Sequence, residues 1–494
     1  MSTTAESIAT PADPIDGLRD FPDRLSPILV KELRQGLRQA SFVIMFLFLQ
    51  GVMAMAVIGA LCAVSTSSLS NRVEMGNVIS GSFFTLFGLA VIVIQPMRAL
   101  TALSTEIRDN TIDLLLLTRL NAWGIVYGKW LCLITQSGLL LVAIMPYLMM
   151  RYFLGGMNLF MEMAMLATMF LLGGMICAGG VAMSAVRSLI LRAIFAVVGV
   201  IAFIYLLIAC ASLFLFNSLG ARSMGWLSFG ASTFDWIMII VGCLLLIAYL
   251  TYSALEFAAT RIAPPAENRS RRKRLIAIGA LIVIPIIFII SDVSEYKMAH
   301  FSILLIVPIS LADALSENPR YVRPAGRRES ILLRPGWPCG AFYGLLMVMA
   351  CAMWQVAIAA FDGFNNSGDH LEFAQATAMC LLIVSQPPLL MALIRPRDTE
   401  PANIYLTCLL GSMTLGLVLM IISAVSNSHE WVCNLLYPFF PILGLGTIDD
   451  PSIAQMIAAF VCCMLYLLAA CIIGLVKWRQ TSPLIAPPAN PPAA

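Results

Sequence analysis

The chain has 494 residues, of which 60% are apolar and only 12% are charged, and its formal net charge is +3. Soluble domains are about 45–50% apolar and about 25% charged, and even a large soluble fold needs a polar surface. This composition therefore excludes a soluble globular protein. The apolar residues occur in runs of about 18 to 25, long enough to cross a bilayer as helices, without the alternation typical of β-barrel strands.

The apolar runs predict an all-α, polytopic membrane protein with about twelve spans in two six-span halves. With the N-terminus placed in the cytoplasm, 26 of the 30 Lys and Arg residues fall on the cytoplasmic side. Because basic residues are retained on that side, the distribution predicts cytoplasmic N- and C-termini in a bacterial-type inner membrane. The predicted spans are 41–64, 78–97, 125–147, 162–186, 192–216, 235–257, 275–291, 300–316, 338–360, 372–394, 404–425 and 452–475.

Polar stretches at the ends and in the middle of the chain predict its domain organisation. Residues 1–24 are expected to be a disordered cytoplasmic N-terminus, without the early apolar core of a signal peptide. Residues 25–260 form the first six-span domain, and a basic stretch at 261–274 predicts a cytoplasmic linker. Residues 275–476 form the second bundle, and 477–494 form a Pro/Ala-rich tail. The thirteen cysteines lie almost entirely within spans and are interpreted as packing residues.

The segment just before the first span has the pattern of an amphipathic helix. Three leucines recur every four residues on one stripe, and the cations lie off that stripe. A proline at its start suits a helix N-terminus. We therefore predict an interfacial helix on the cytoplasmic surface. Its stripe and charged residues are Leu29, Lys31, Glu32, Leu33, Arg34, Leu37 and Arg38.

The segment 105–120 follows the second predicted span and is too polar to cross the membrane. Glu106, Asp109 and Asp113 lie at i, i+3 and i+7, which places them on one stripe of a helix. An apolar stripe on another side predicts a short helix between the membrane and a cytoplasmic protein partner. The alternative is a purely structural helix that Thr105 caps, with the acidic residues complementing the helix dipole.

Two motifs therefore stand on the cytoplasmic side of the first half. One is the amphipathic segment 27–38. The other follows the pattern Glu-x4-Thr-[Leu/Ile]-[Asp/Glu]-Leu-Leu-x2-Thr, with Gly-Lys at the next span, and its residues are Glu106, Asp109, Thr111, Asp113, Leu114, Thr118, Gly128 and Lys129. Together they resemble the elbow helix and the coupling segment of the permeases of type-2 ATP-binding-cassette (ABC) exporters. The second half carries neither motif.

This resemblance implies a permease subunit that forms the translocation path of an ATP-driven exporter and couples to a separate ATPase through 105–120. The implied partners are an ABC ATPase subunit, the lipid bilayer and a second copy of this permease or a related one, with no nucleic acid. ATP would be bound by the partner, and this chain would need no catalytic residue, cofactor or metal. A near match to a phosphate-binding loop ends at Lys129, but Trp130 follows where Ser or Thr binds magnesium.

Two other function classes stay open, an ion-coupled secondary transporter and a membrane scaffold without transport activity. A charge in the middle of a bilayer usually marks an ion or proton pathway. The acidic residues of the spans all fall near span ends, where we expect them to reach water, and this argues against ion coupling. They are Glu162, Asp235, Glu256, Asp313 and Glu372.

The fourth predicted span combines glycines with methionines. Gly173, Gly174, Gly179 and Gly180 predict close contact with another helix. The methionines around this span are interpreted as flexible packing residues, with a site for a soft metal ion as the alternative.

Overall fold

The structure is a computed structural model. The residues that it describes are 27–64, 81–109, 111, 121–154, 159–218, 233–264, 269–291, 297–317, 333, 337–361, 377–387, 390, 401–426, 457, 460–466, 468–469 and 472. All regular structure within these ranges is helical. A helix satisfies its backbone hydrogen bonds within one segment, which a chain surrounded by lipid requires.

Thirteen described helices follow one another along the chain. The first half contains α1 (Pro27–Arg38), α2 (Ala40–Val64), α3 (81–99), α4 (Ser104–Arg108), α5 (Ala122–Leu154), α6 (Leu159–Ser184), α7 (Leu189–Ser218) and α8 (Thr233–Ile262). The second half contains α9 (Ser270–Ile290), α10 (Lys297–Leu315), α11 (Trp337–Phe361), α12 (Thr377–Pro387) and α13 (Pro401–Ser426).

Within the described residues, eight helices are long and apolar enough to cross a membrane, so the chain is an α-helical membrane protein. They are Ala40–Gly59, Gly81–Arg108, Ala122–Met150, Glu162–Ser184, Phe234–Ile262, Ser270–Ile290, Met298–Leu315 and Ala402–Leu419. Three other predicted spans correspond to shorter apolar stretches, Leu189–Ile201, Phe342–Ile358 and Thr377–Pro387. The twelfth lies mostly outside the described residues. The number of twelve spans and the cytoplasmic placement of the termini stay predictions.

Helix α3 changes its hydrogen-bonding register within the membrane span. Its central part, Leu89–Ile94, is a π-helix, in which the backbone N–H of Gln95 donates to the carbonyl oxygen of Ala90. Pro96 follows immediately and has no N–H with which to continue an α-helical ladder. The wider π-helical turn therefore lies directly before the residue that lacks a backbone N–H donor. After this turn, α3 continues as an α-helix over Gln95–Ala99.

Glycines on α6 allow it to pack directly against the backbone of α3. A Cβ atom at Gly180 would lie 2.9 Å from the carbonyl oxygen of Pro96 and 2.8 Å from the Cβ of Ala99. A Cβ atom at Gly173 would collide with Val91. The close helix contact predicted for the glycines of the fourth span is therefore confirmed at these two positions.

The described parts of the two halves are in direct contact. The guanidinium of Arg261, at the C-terminal end of α8, donates to the side-chain oxygen of Asn403, at the N-terminal end of α13. One buried cluster combines residues of both halves, namely Leu100, Ala182, Met183, Val186, Leu191 and Phe257 with Leu311, Ala312, Leu315, Met379, Ile383, Ala402, Tyr405, Leu406 and Leu409. The second bundle thus packs against the first as part of the same body.

Seven of the fourteen residues of the predicted linker at 261–274 belong to helices in the structure. Helix α8 continues through Ile262 and α9 already begins at Ser270. Only 263–269 therefore lies between the two helices. Lys273 and Arg274 of this stretch, although charged, are buried against Asp313 of α10 and Glu317 just after it, and the cytoplasmic linker stays a prediction.

Candidate coupling site

Lys129 lies two turns into α5, on the side of the first half that carries both sequence motifs. Its side chain is only 7% exposed. Its Nζ atom lies 3.1 Å from Oε1 of Glu32 on α1 and 2.8 Å from Oε1 of Glu106 on α4. One cation thus joins the amphipathic helix, the segment that follows the second span and the start of the third span. We call Lys129, Glu32 and Glu106 the coupling node.

A glycine lies where α1 approaches α5. A Cβ atom at Gly36 would collide with the side-chain amide of Gln136 on α5. A larger residue at this position would require the Gln136 side chain, which accepts a hydrogen bond from Arg98, to move. The contact therefore explains why a helix-destabilising glycine lies within a helix of only 12 residues.

A second polar layer lies next to the coupling node and is centred on Arg98 at the end of α3. The Arg98 guanidinium donates to the Oε1 atoms of Gln136 at 2.6 Å, Gln39 at 3.0 Å and Gln95 at 3.1 Å. It also lies 5.6 Å from the ring centroid of Phe42. This layer holds the end of α3 against α5 and against the junction of α1 and α2.

The side chains of α1 have the exposure that its amphipathic pattern predicts. The three leucines of the stripe and Glu32 are partly buried, whereas Lys31, Arg34 and Arg38 are exposed. Leu37 packs against the core formed by α2, α3, α5 and α6. The location of α1 at the membrane interface stays a prediction.

The acidic stripe of the segment 105–120 divides into an inward and an outward part. Glu106 faces inward, since Oε1 binds Lys129 and Oε2 is inaccessible to solvent. Asp109 is 58% exposed and lies 3.4 Å from the exposed guanidinium of Arg108. Among the described residues, Asp109 is therefore the carboxylate of this stripe that is available to a partner.

The remaining residues of the motif are placed in part. Gly128 is buried on α5 next to Lys129. The hydroxyl of Thr111 donates to the backbone carbonyl of Glu106 at 3.3 Å. Asp113, Leu114 and Thr118 lie outside the described residues.

A second group of charges, which the sequence analysis missed, is buried in the second half. Lys273 on α9 lies 3.1 Å from Asp313 and 3.2 Å from Glu317, and Arg274 lies 2.6 Å from Glu317. All four side chains are at most 7% exposed. The Arg274 guanidinium also stacks on the ring of Tyr343, 5.3 Å from its centroid. We call Lys273, Arg274, Asp313 and Glu317 the ionic cluster.

The expectation that acidic residues near span ends reach water was wrong for three of them. Glu162, Glu256 and Asp313 are buried, at 6%, 4% and 5% exposure. Glu256 pairs with Arg269 at 3.1 Å, and Asp313 pairs within the ionic cluster. For Glu256 and Asp313, basic residues just outside the apolar runs thus replace water as partners. Asp235 is partly exposed, and Glu372 lies outside the described residues.

Within the described ranges, no group of three or more His, Cys, Asp and Glu side chains is arranged to hold a metal ion. No protein-family model, no curated protein and no solved structure matches the chain. The sequence motifs and the geometry of the coupling node therefore carry the functional argument.

Proposed function

We propose that the chain is the permease subunit of an ATP-driven exporter, which forms the translocation path and couples to a separate ABC ATPase subunit. The observation that carries this proposal is the coupling node. Its members come from the three places where the sequence resembles the permeases of type-2 ABC exporters: the elbow helix, the segment after the second span and the Gly-Lys pair.

The node provides a mechanical route from the cytoplasmic surface to the spans. A displacement of α4 moves Glu106, and the buried Lys129 passes this displacement to α5 and, through Glu32, to α1. Charge-assisted hydrogen bonds are directional and each is worth about 1.5–3 kcal/mol, so the three elements move together. An ATPase that pulls on the segment around Asp109 would thereby tilt two helices of the first half.

The proposal is tested by co-expressing the full chain with the ABC ATPase subunits of its source organism. We expect one of them to remain bound through detergent extraction and affinity purification, and the complex to hydrolyse ATP while the chain alone does not. Charge reversal at the exposed surface, Asp109→Lys, should release this ATPase, whereas Lys31→Glu on the exposed face of α1 serves as a matched control. Failure of every ATPase subunit to bind would overturn the proposal.

The ionic cluster favours a second candidate function, an ion-coupled secondary transporter. A small cavity beside the cluster is lined by Lys273, Asp313, Tyr249 and Ser310. A buried carboxylate next to a cavity is the type of group that carries protons in transporters. If transport continues without ATP, stops when the proton gradient is dissipated and is abolished by Asp313→Asn, this second function is correct and the first is wrong.

A further inference from the structure

The basic stretch between the two halves contains six cations, and the structure separates them into two groups. Four have partners within the chain. The pairs are Arg261 with Asn403, Arg269 with Glu256, Lys273 with Asp313 and Glu317, and Arg274 with Glu317. The charge of this first group is therefore used to hold α8, α9, α10 and α13 together.

The second group is Arg271 and Arg272, at the start of α9. Both side chains are exposed. In the part of the chain that the structure describes, no carboxylate pairs with either of them. The guanidinium of Arg272 lies 6.0 Å from the ring centroid of Tyr252 on α8, which orients it along the groove between α8 and α9. Both positive charges are thus accessible at the surface, and that of Arg272 lies beside α8.

These two arginines lie at the end of an apolar face that no helix of the described ranges covers. Large exposed side chains lie on one side of α9, beginning about one turn after Arg272. They are Leu275, Ile282, Val283, Ile286 and Ile290. In a membrane-spanning helix such a face contacts lipid acyl chains. Because a helix rises about 1.5 Å per residue, the arginines lie about 4–6 Å beyond Leu275, at the level of the lipid headgroups.

We propose that Arg271 and Arg272, together with the ring of Tyr252, form a binding site for the headgroup of an anionic phospholipid. Arginine is suited to phosphate because its planar guanidinium donates two parallel hydrogen bonds. Anionic lipids attract each Lys or Arg side chain that lies near the membrane surface. The continuous apolar face of α9 provides a surface for the acyl chains of the same lipid, which a free phosphate ion would not use. This inference depends on the membrane-spanning helices and does not depend on the proposed export function.

The test is lipid binding by the full-length protein in nanodiscs that contain phosphatidylglycerol diluted in phosphatidylcholine. Native mass spectrometry after release from the nanodiscs counts the phosphatidylglycerol molecules that stay bound. We expect the double variant Arg271→Gln/Arg272→Gln to bind phosphatidylglycerol roughly thirtyfold more weakly, since each cation near the surface contributes to lipid attraction. Arg187→Gln, at an exposed cation between α6 and α7, is the matched control and should bind like the wild type.

A conservative variant separates loss of the site from loss of the fold. Arg271→Lys/Arg272→Lys keeps both charges and should retain most of the binding, whereas the glutamine variant should keep the wild-type unfolding midpoint in phosphatidylcholine alone. Addition of inorganic phosphate at millimolar concentration should not displace the lipid. Equal binding of phosphatidylglycerol by the wild type and the glutamine variant would overturn the inference. Displacement by phosphate would also overturn it, because the site would then recognise a free anion.

Discussion

Replacing Lys129 by Met removes the cation of the coupling node and leaves Glu32 and Glu106 facing each other. Methionine has a similar length and suits the apolar part of the site, so the loss of charge is the main change. The two carboxylates lose their shared partner inside the protein. We expect the variant to unfold more readily than any variant that removes only one of the acids.

The magnitude follows from the geometry of the node. Breaking a buried ion pair by removing one partner costs about 3–5 kcal/mol. The carboxylates of Glu32 and Glu106 are still 21% and 20% exposed, so water solvates them in part. We therefore expect Lys129→Met to lower the free energy of unfolding by about 3 kcal/mol, the lower end of this range. Glu106→Gln keeps one hydrogen bond to Lys129 and leaves Glu32 paired. We therefore expect it to lower the free energy of unfolding by only about 1.5 kcal/mol. Arg108→Gln removes the exposed ion pair with Asp109 and should lower the free energy of unfolding by at most about 1 kcal/mol.

The measurement is the free energy of unfolding of the purified chain in mixed micelles with increasing dodecyl sulphate, followed by tryptophan fluorescence. Trp123 and Trp130 flank the node on α5 and report on its local unfolding. The expected order of destabilisation is Lys129→Met, then Glu106→Gln, then Arg108→Gln. If Lys129→Met is no more destabilised than the exposed control, the ion pairs contribute nothing and the reasoning about the node fails.

Three further predictions concern the partner surface, the orientation and the ionic cluster. Asp109→Asn should weaken ATPase binding about tenfold or more in a pull-down without lowering the unfolding midpoint, and a lower midpoint would show a structural role instead. In a cysteine-free chain, Ser68→Cys should react with an impermeant thiol reagent in intact cells and Arg271→Cys should not; labelling of the second would reverse the predicted orientation. Lys273→Met should cost about 3–5 kcal/mol, and addition of Asp313→Leu should recover part of that loss in the same unfolding assay, whereas no recovery would show that the two charges are not coupled.

Much of the fold could be predicted from the sequence because lipid imposes strong local rules. An apolar run of sufficient length has to form a helix, so the eight long spans follow from hydropathy alone. The amphipathic pattern likewise predicts a helix before the first span, and α1 covers Pro27–Arg38. The glycines at 173 and 180 predicted close packing on α6, although the sequence did not indicate that α3 is the neighbour.

The ion pairs could not be predicted, since they join residues that are distant along the chain. Glu32 and Lys129 are 97 positions apart, and Lys273 and Asp313 are 40 apart. A run of four cations at 271–274 also gives no indication of which side chains face inward, because that depends on where α9 begins and on its packing. One signal was available: Asp313 and Glu317 are four residues apart near the end of a predicted span, a spacing at which two acidic side chains can meet adjacent cations.

The measurement that tests the account most directly is a distance change across the first half during ATP hydrolysis. Spin labels on Lys31→Cys of α1 and Arg187→Cys between α6 and α7 would be placed in the cysteine-free chain, in complex with its ATPase in nanodiscs. We predict that ATP with vanadate shifts the distance between the labels by at least about 2 Å, and that Lys129→Met abolishes the shift while the ATPase stays bound. An unchanged distance in the wild-type complex, or an equal shift in the Lys129→Met complex, would contradict the claim that the coupling node transmits ATPase motion to the spans.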